Sequence, residues 1–142
     1  ARARSLELHR ALSGTALTLT AGHALLLLAD PYIRYDLLDV LVPGASSYRP
    51  WAVAAGIVAA YLAVAVHVSF ALRARLGSRT WRRLHYLSFA VLVGALGHGL
   101  AAGTDTGRAG MRIFYVGVAG AIAALIAVRL VMAIQARAPT RA

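Results

Sequence analysis

The sequence predicts an all-α integral membrane protein, a four-helix bundle with a cofactor held between its first and third helices. Three observations predict it. Hydrophobic residues make up 60% of the 142-residue chain and the mean hydropathy is +0.68, whereas a soluble domain is about half apolar. The apolar residues are gathered into long runs, and a run of roughly 20 crosses a hydrocarbon core of roughly 30 Å. Four of the five histidines fall in the first and third runs at matched spacing.

The elements follow in order, as one domain over residues 1–142. The first run, about 5–29, ends at Asp30-Pro31, a helix stop. A polar connection reaches Arg49 through Pro43-Gly44 and Ser46-Ser47, all turn formers. The second run, about 50–72, has Pro50 at its first turn. A short basic loop, Arg73 to Thr80, leads to the third run, about 81–102. After a loop with Gly103, Asp105 and Gly107 comes the fourth run, about 110–135. The N-terminus does not read as a signal peptide, because Arg2, Arg4, Glu7, His9 and Arg10 interrupt it and no small-residue cleavage site follows. The chain opens almost directly into a helix, as a processed or truncated product would.

The formal charge is +10, with 15 basic residues, all of them arginine. In a soluble protein this would suggest nucleic acid. Here the arginines sit at the ends of apolar runs, so the expected neighbour is membrane lipid and no nucleic acid. Arg2, Arg4 and Arg10, then Arg73, Arg75, Arg79, Arg82 and Arg83, then Arg129, Arg137 and Arg141 fall on one side. The other side has Arg34, Arg49, Arg108 and Arg112 with Asp30, Asp36, Asp39 and Asp105. The positive-inside rule then places both termini in the cytoplasm of a multi-pass protein of the cytoplasmic (inner) membrane.

The absence of cysteine excludes disulfides, thiolate iron–sulfur clusters and thioether attachment of haem. Histidine is therefore the candidate metal ligand. His9 and His23 are 14 residues apart, and His85 and His98 are 13 apart. At the helical rise these spacings span about 21 and about 20 Å. Since the first and third runs cross in the same direction, the four form two levels, His9 with His85 and His23 with His98. Two stacked haem groups, each held by two imidazoles, need that arrangement, and six-coordinate iron suits electron transfer. An intramembrane histidine is also often a polar contact between helices, although ionisable groups there are functional candidates by default. A helix turns about 100° per residue, so 14 residues return to within about 40° of one face while 13 miss by about 140°. The third helix must present its two ligands from different flanks, or distort. Gly94, Gly97 and Gly99, and on the first helix Gly14 and Gly22, would ease this and leave room for a flat ring. His67, on the second run near the first level, is either a polar neighbour or an alternative to His9 as ligand. Arg82 and Arg83 are interface charges that could also pair with haem propionates, with Arg49 and Tyr48 as the outer counterparts.

The stretch Arg75-Leu76-Gly77-Ser78-Arg79-Thr80-Trp81-Arg82-Arg83-Leu84-His85-Tyr86-Leu87-Ser88 resembles the ferric reductase-like transmembrane domain. That superfamily includes NADPH oxidases, ferric reductases and the haem-binding membrane subunit of methionine sulfoxide reductase. Leu8-His9-Arg10 followed by His23, and His98 to Asp105, resemble its small bacterial members. The resemblance implies that His9, His23, His85 and His98 ligate two b haems. It also implies electron flow from a cytoplasmic donor or quinol to an outer acceptor, which would make the chain a component of an oxidoreductase. Family members usually carry a helix before the one matching the first run, and many carry a flavin and nicotinamide domain. Nothing here resembles that domain, so any flavin is expected on a partner flavoprotein or reductase. The expectation is an electron-transfer membrane component with no catalytic residue of its own. The alternative is a haem-free bundle acting as an assembly factor or a proton-relay or transport protein.

Overall fold

The structure, a computed structural model, describes residues 2–136, so Arg137 and Arg141 lie outside the described residues. Every regular element in this range is helical: α1 (Arg2–Leu28), α2 (Leu37–Leu41), α3 (Pro50–Ala71), α4 (Arg73–His85), α5 (Leu87–Ala102) and α6 (Ala109–Gln135). Four helical segments are long and apolar enough to cross a bilayer: Ala3–Leu28, Pro50–Ala71, Arg73–Ala102 and Ala109–Gln135. This is the character of a multi-pass membrane protein. Leu19, Leu26, Val93 and Ile113 are among many large apolar side chains left exposed. In hydrocarbon such a surface needs no protein cover, provided the backbone bonds are closed within helices.

Hydroxyls inside the first span close onto their own helix. Ser13 donates to the Arg10 carbonyl at 3.0 Å, Thr18 to Gly14 at 3.1 Å and Thr20 to Ala16 at 2.9 Å. The helix ends where Pro31 stops it. The connection that follows holds one element unforeseen in the sequence. Asp36 caps α2 by accepting from the Leu38 and Asp39 amides at 2.7 and 2.9 Å, and Asp39 accepts from the Asp36 amide at 3.0 Å. This is a capping box. The Tyr61 hydroxyl donates to the Leu41 carbonyl at 2.5 Å, tying α2 to α3. Nearby, burial chiefly, reinforced by Tyr48, Asp30 and Asp39, raises the pKa of the Tyr35 phenol.

The chain falls into two compact units that divide after Gly103. In the first, α3 is the central helix. It supplies the buried Val53, Ile57 and Ala59 and packs most extensively on α5. Small residues permit the close approach: a Cβ at Gly94 would meet Ala59 Cβ at 3.0 Å and the Ala55 carbonyl oxygen at 3.4 Å. The second unit contains α6, a helix of 27 residues, preceded by an exposed Arg108–Asp105 ion pair at 3.1 Å.

The region read as a basic loop, Arg73 to Thr80, holds two helical stretches joined by a kink at Gly77. Both belong to α4, and Gly77 has φ 74° and ψ 158°. A side chain would be strained in that conformation, so glycine lets the chain change direction without leaving helical hydrogen bonding for long. A second irregularity at Tyr86 separates α4 from α5. The Tyr86 amide is shared between the Arg82 and Arg83 carbonyls, both at 3.2 Å, and the Phe89 amide bonds back three residues to Tyr86 at 3.1 Å.

Candidate functional site

Two pairs of histidines bridge α1 to the segment formed by α4 and α5. The rings of His9 and His85 have centroids 6.1 Å apart and planes at 71°. Those of His23 and His98 have centroids 6.2 Å apart, also with planes at 71°. α1 runs unbroken from His9 to His23, so the two levels are separated by about 21 Å along its axis. Among the described residues, no Cα of α1 comes within 8 Å of a Cα of α4 or α5. The backbones stand apart, and the imidazoles reach across the space between them.

The irregularity at Tyr86 contributes a small part of the turn by which a 13-residue spacing misses one face. It lies just after His85. Backbone tightened toward a 3₁₀ turn advances about 120° per residue rather than 100°. Each tightened residue therefore recovers part of the angle by which a regular helix would miss.

Ligand geometry can be compared with these distances. A metal–imidazole nitrogen bond is about 2.0 Å and the ring centre lies about 1.1 Å behind the nitrogen, so two imidazoles on opposite sides of one metal have centroids about 6.2 Å apart. Both pairs match that separation. The angle between planes is free, because each ring can rotate about its own bond to the metal. Unliganded aromatic pairs also occur at 4.5–7 Å, so distance alone does not decide. Three further features bear on the fit. His23 is exposed although it lies within an apolar span, a costly position unless something covers it. Among the described residues no three His, Cys, Asp or Glu side chains gather at one point. Open space surrounds the α-carbons of Gly14, Gly22 and Gly97, with no atom within 4 Å of a Cβ built there.

The two levels differ in their surroundings. At the first, a cavity of about 340 Å³ is lined by His9, Arg10, Thr20, His67, Phe70 and His85 among others. Trp81 stacks on His85, with centroids 5.3 Å apart and planes at 25°. The buried Trp81 indole N–H has no hydrogen-bond partner among the described residues. At the second level, His98 is half-buried against α3, and its Nδ1 is 2.8 Å from the Ala52 carbonyl oxygen. A carbonyl only accepts, so Nδ1 carries the proton and Nε2 keeps its lone pair. Histidine ligands of metals commonly have this arrangement.

The remaining candidates are placed as follows. His67 lines the first-level cavity, while the ring pair there joins His9 and His85. Arg82 and Arg83 are exposed on α4; the arginine that lines the cavity is Arg10. Arg10 and Arg73 both stand over the Phe70 ring, at 5.4 and 4.2 Å. Tyr48 and Arg49 have a job at the end of α5: the Tyr48 hydroxyl donates to the Ala102 carbonyl at 3.0 Å, and the Arg49 guanidinium donates to the Ala101 carbonyl. Both satisfy carbonyls that a helix end leaves open. Of the glycines expected to make room, Gly94 packs against α3 instead. Sequence reasoning missed Arg10, Phe70, Ala52 and Gly56. No local pattern marks the last two, since they matter only through their approach to His98.

No protein-family model matches the chain, and no curated protein or solved structure matches it at a significant level.

Proposed function

We propose that this chain is a transmembrane electron conduit that holds two b-type haems, His9 with His85 and His23 with His98, as a small member of the ferric reductase-like superfamily. The reading rests on one observation above the others: two histidine pairs with the same separation, 6.1 and 6.2 Å, span a gap between helices whose backbones do not touch. Haem bound there would supply a one-electron couple at six-coordinate iron, which favours electron transfer over binding a substrate at the metal.

The chain's own groups do the rest. Four imidazoles bind from two sides, and the Ala52 carbonyl holds the Nδ1 proton of His98 so that Nε2 is free. Trp81 stacks on His85 and would help to hold its plane. The apolar spans exclude water, and two centres about 21 Å apart along α1 divide the bilayer into short hops. Arg10, at the cavity, is placed to pair with a propionate, with Arg82 and Arg83 as the exposed reserve at the same end. The arginine-rich end is the cytoplasmic one in this reading, with both termini on that side of the inner membrane. A flavoprotein or membrane quinol would deliver electrons, and an outer acceptor or partner reductase would take them up.

The dithionite-reduced minus oxidised spectrum of the purified chain tests the reading. The expected result is a sharp α band of low-spin b-type haem. A flat difference spectrum from well-folded protein overturns the proposal in favour of a haem-free bundle.

A further inference from the structure

Gly56 lies inside α3, where glycine has no local use and weakens an ordinary helix relative to alanine. Its surroundings give the reason for it. A Cβ built there would fall 2.6 Å from His98 Nδ1, 2.7 Å from Cγ and 2.8 Å from Cε1. Real atoms do not approach so closely, so any side chain at this position displaces the imidazole. One turn earlier on the same helix, the Ala52 carbonyl oxygen is 2.8 Å from the same Nδ1. A carbonyl has two lone pairs, so it can accept this bond as well as the one within its helix. The two residues are four apart, on one face of α3. Together they form a shallow seat, bare at 56 and carrying an acceptor at 52.

We propose that Gly56 is a positioning residue for His98. By having no side chain, it lets the imidazole lie flat on α3 with Nδ1–H donated to Ala52, which leaves Nε2 as the free nitrogen on the side of the gap toward His23. This rests on the reading of His98 as a haem ligand, but the seat itself is a property of the protein chain. The helices cannot simply move apart to admit a methyl group, because Gly94 holds α5 tightly on Ala55 and Ala59. The displaced group is therefore His98. The seat serves one level only: His67, the α3 residue at the other level, is 11 residues further on, about 16 Å along the axis.

The test compares full-length wild type, Gly56→Ala and Gly94→Ala, the last as a control for packing between the same two helices. In the haem-loaded proteins, oxidised-state electron paramagnetic resonance and haem titration should show the second-level low-spin signal shifted or lost in Gly56→Ala. Haem retention at that level should fall about 10- to 100-fold, the usual effect of removing a histidine ligand's outer partner. The first-level signal should be unchanged, and Gly94→Ala should keep both. Equal haem binding and spectra in Gly56→Ala and wild type overturn the proposal. Parallel losses in both glycine variants also overturn it, since they mean packing alone.

A readout free of haem separates this inference from the functional reading. In ¹⁵N-histidine-labelled, haem-free protein, His98, assigned through His98→Gln, should be the Nδ1–H tautomer in wild type and lose that state in Gly56→Ala. An Nε2–H tautomer in wild type, or no change on substitution, overturns the positioning role even if the haems are present. A confirmed tautomer in a chain that never takes up haem keeps the seat and removes the function.

Discussion

His98 is held by groups that say nothing of themselves in the sequence. Its spacing from His85 and its match to His23 are readable from residue order, because helical rise converts a count into a height. The carbonyl of Ala52 and the bare α-carbon of Gly56 are not readable, since they meet His98 only through the crossing of α3 and α5. The same limit left His67 undecided. It shares the first-level cavity, but the ring pair there is His9 with His85. His67→Ala is therefore expected to keep both haems, with the cavity enlarged and the first-level spectrum shifted slightly. Loss of the first-level haem in that variant would transfer the ligand role from His9 to His67. Arg10, one of the arginines that the sequence marks as a topology charge, lines the first-level cavity; it is exposed, as are Arg82 and Arg83, the expected propionate partners.

At the scale of elements, the four apolar runs were legible because length and hydropathy are enough to define a span; the first, second and fourth have boundaries close to the observed ones, while the third, expected from 81, begins as a span at Arg73. The breaks were less legible. Gly77-Ser78 read as part of a loop, and a break does fall at Gly77, at φ 74°, but helix resumes on both sides of it. Gly77→Ala is expected to destabilise the chain by about 1–3 kcal/mol, the usual cost of forcing a side chain into such backbone. Unfolding in mixed micelles would measure it. Gly97→Ala, where the added methyl meets open space, should stay within about 1 kcal/mol of wild type. Equal midpoints for the two variants would mean that the backbone relaxes freely at Gly77. The irregularity at Tyr86 left no signal of its own, since neither glycine nor proline marks it. Only the arithmetic of a 13-residue spacing pointed to this helix, as one that presents its two histidines from different flanks or distorts. α2 had a signal that went unused: Asp36 and Asp39 have the spacing of a capping box, but the surrounding turn formers hid a five-residue helix.

Over the whole molecule, the features of interest are an open space and the side chains that reach into it. Helices that pack directly lie about 8–10 Å apart between axes, and α3 with α5 is the close-packed pair here. α1 is held off from α4 and α5, and two imidazole pairs cross the gap at heights about 21 Å apart. The proposed haems would cover His9 and His23, two exposed histidines within one apolar span. The most direct test is haem stoichiometry, measured as pyridine haemochrome per chain, for wild type, His9→Ala and His98→Ala. Independent levels predict two haems in wild type and one in each variant, with the surviving haem differing spectrally between them. A single haem in wild type, or loss of both or neither in the variants, would contradict two separate bis-histidine centres.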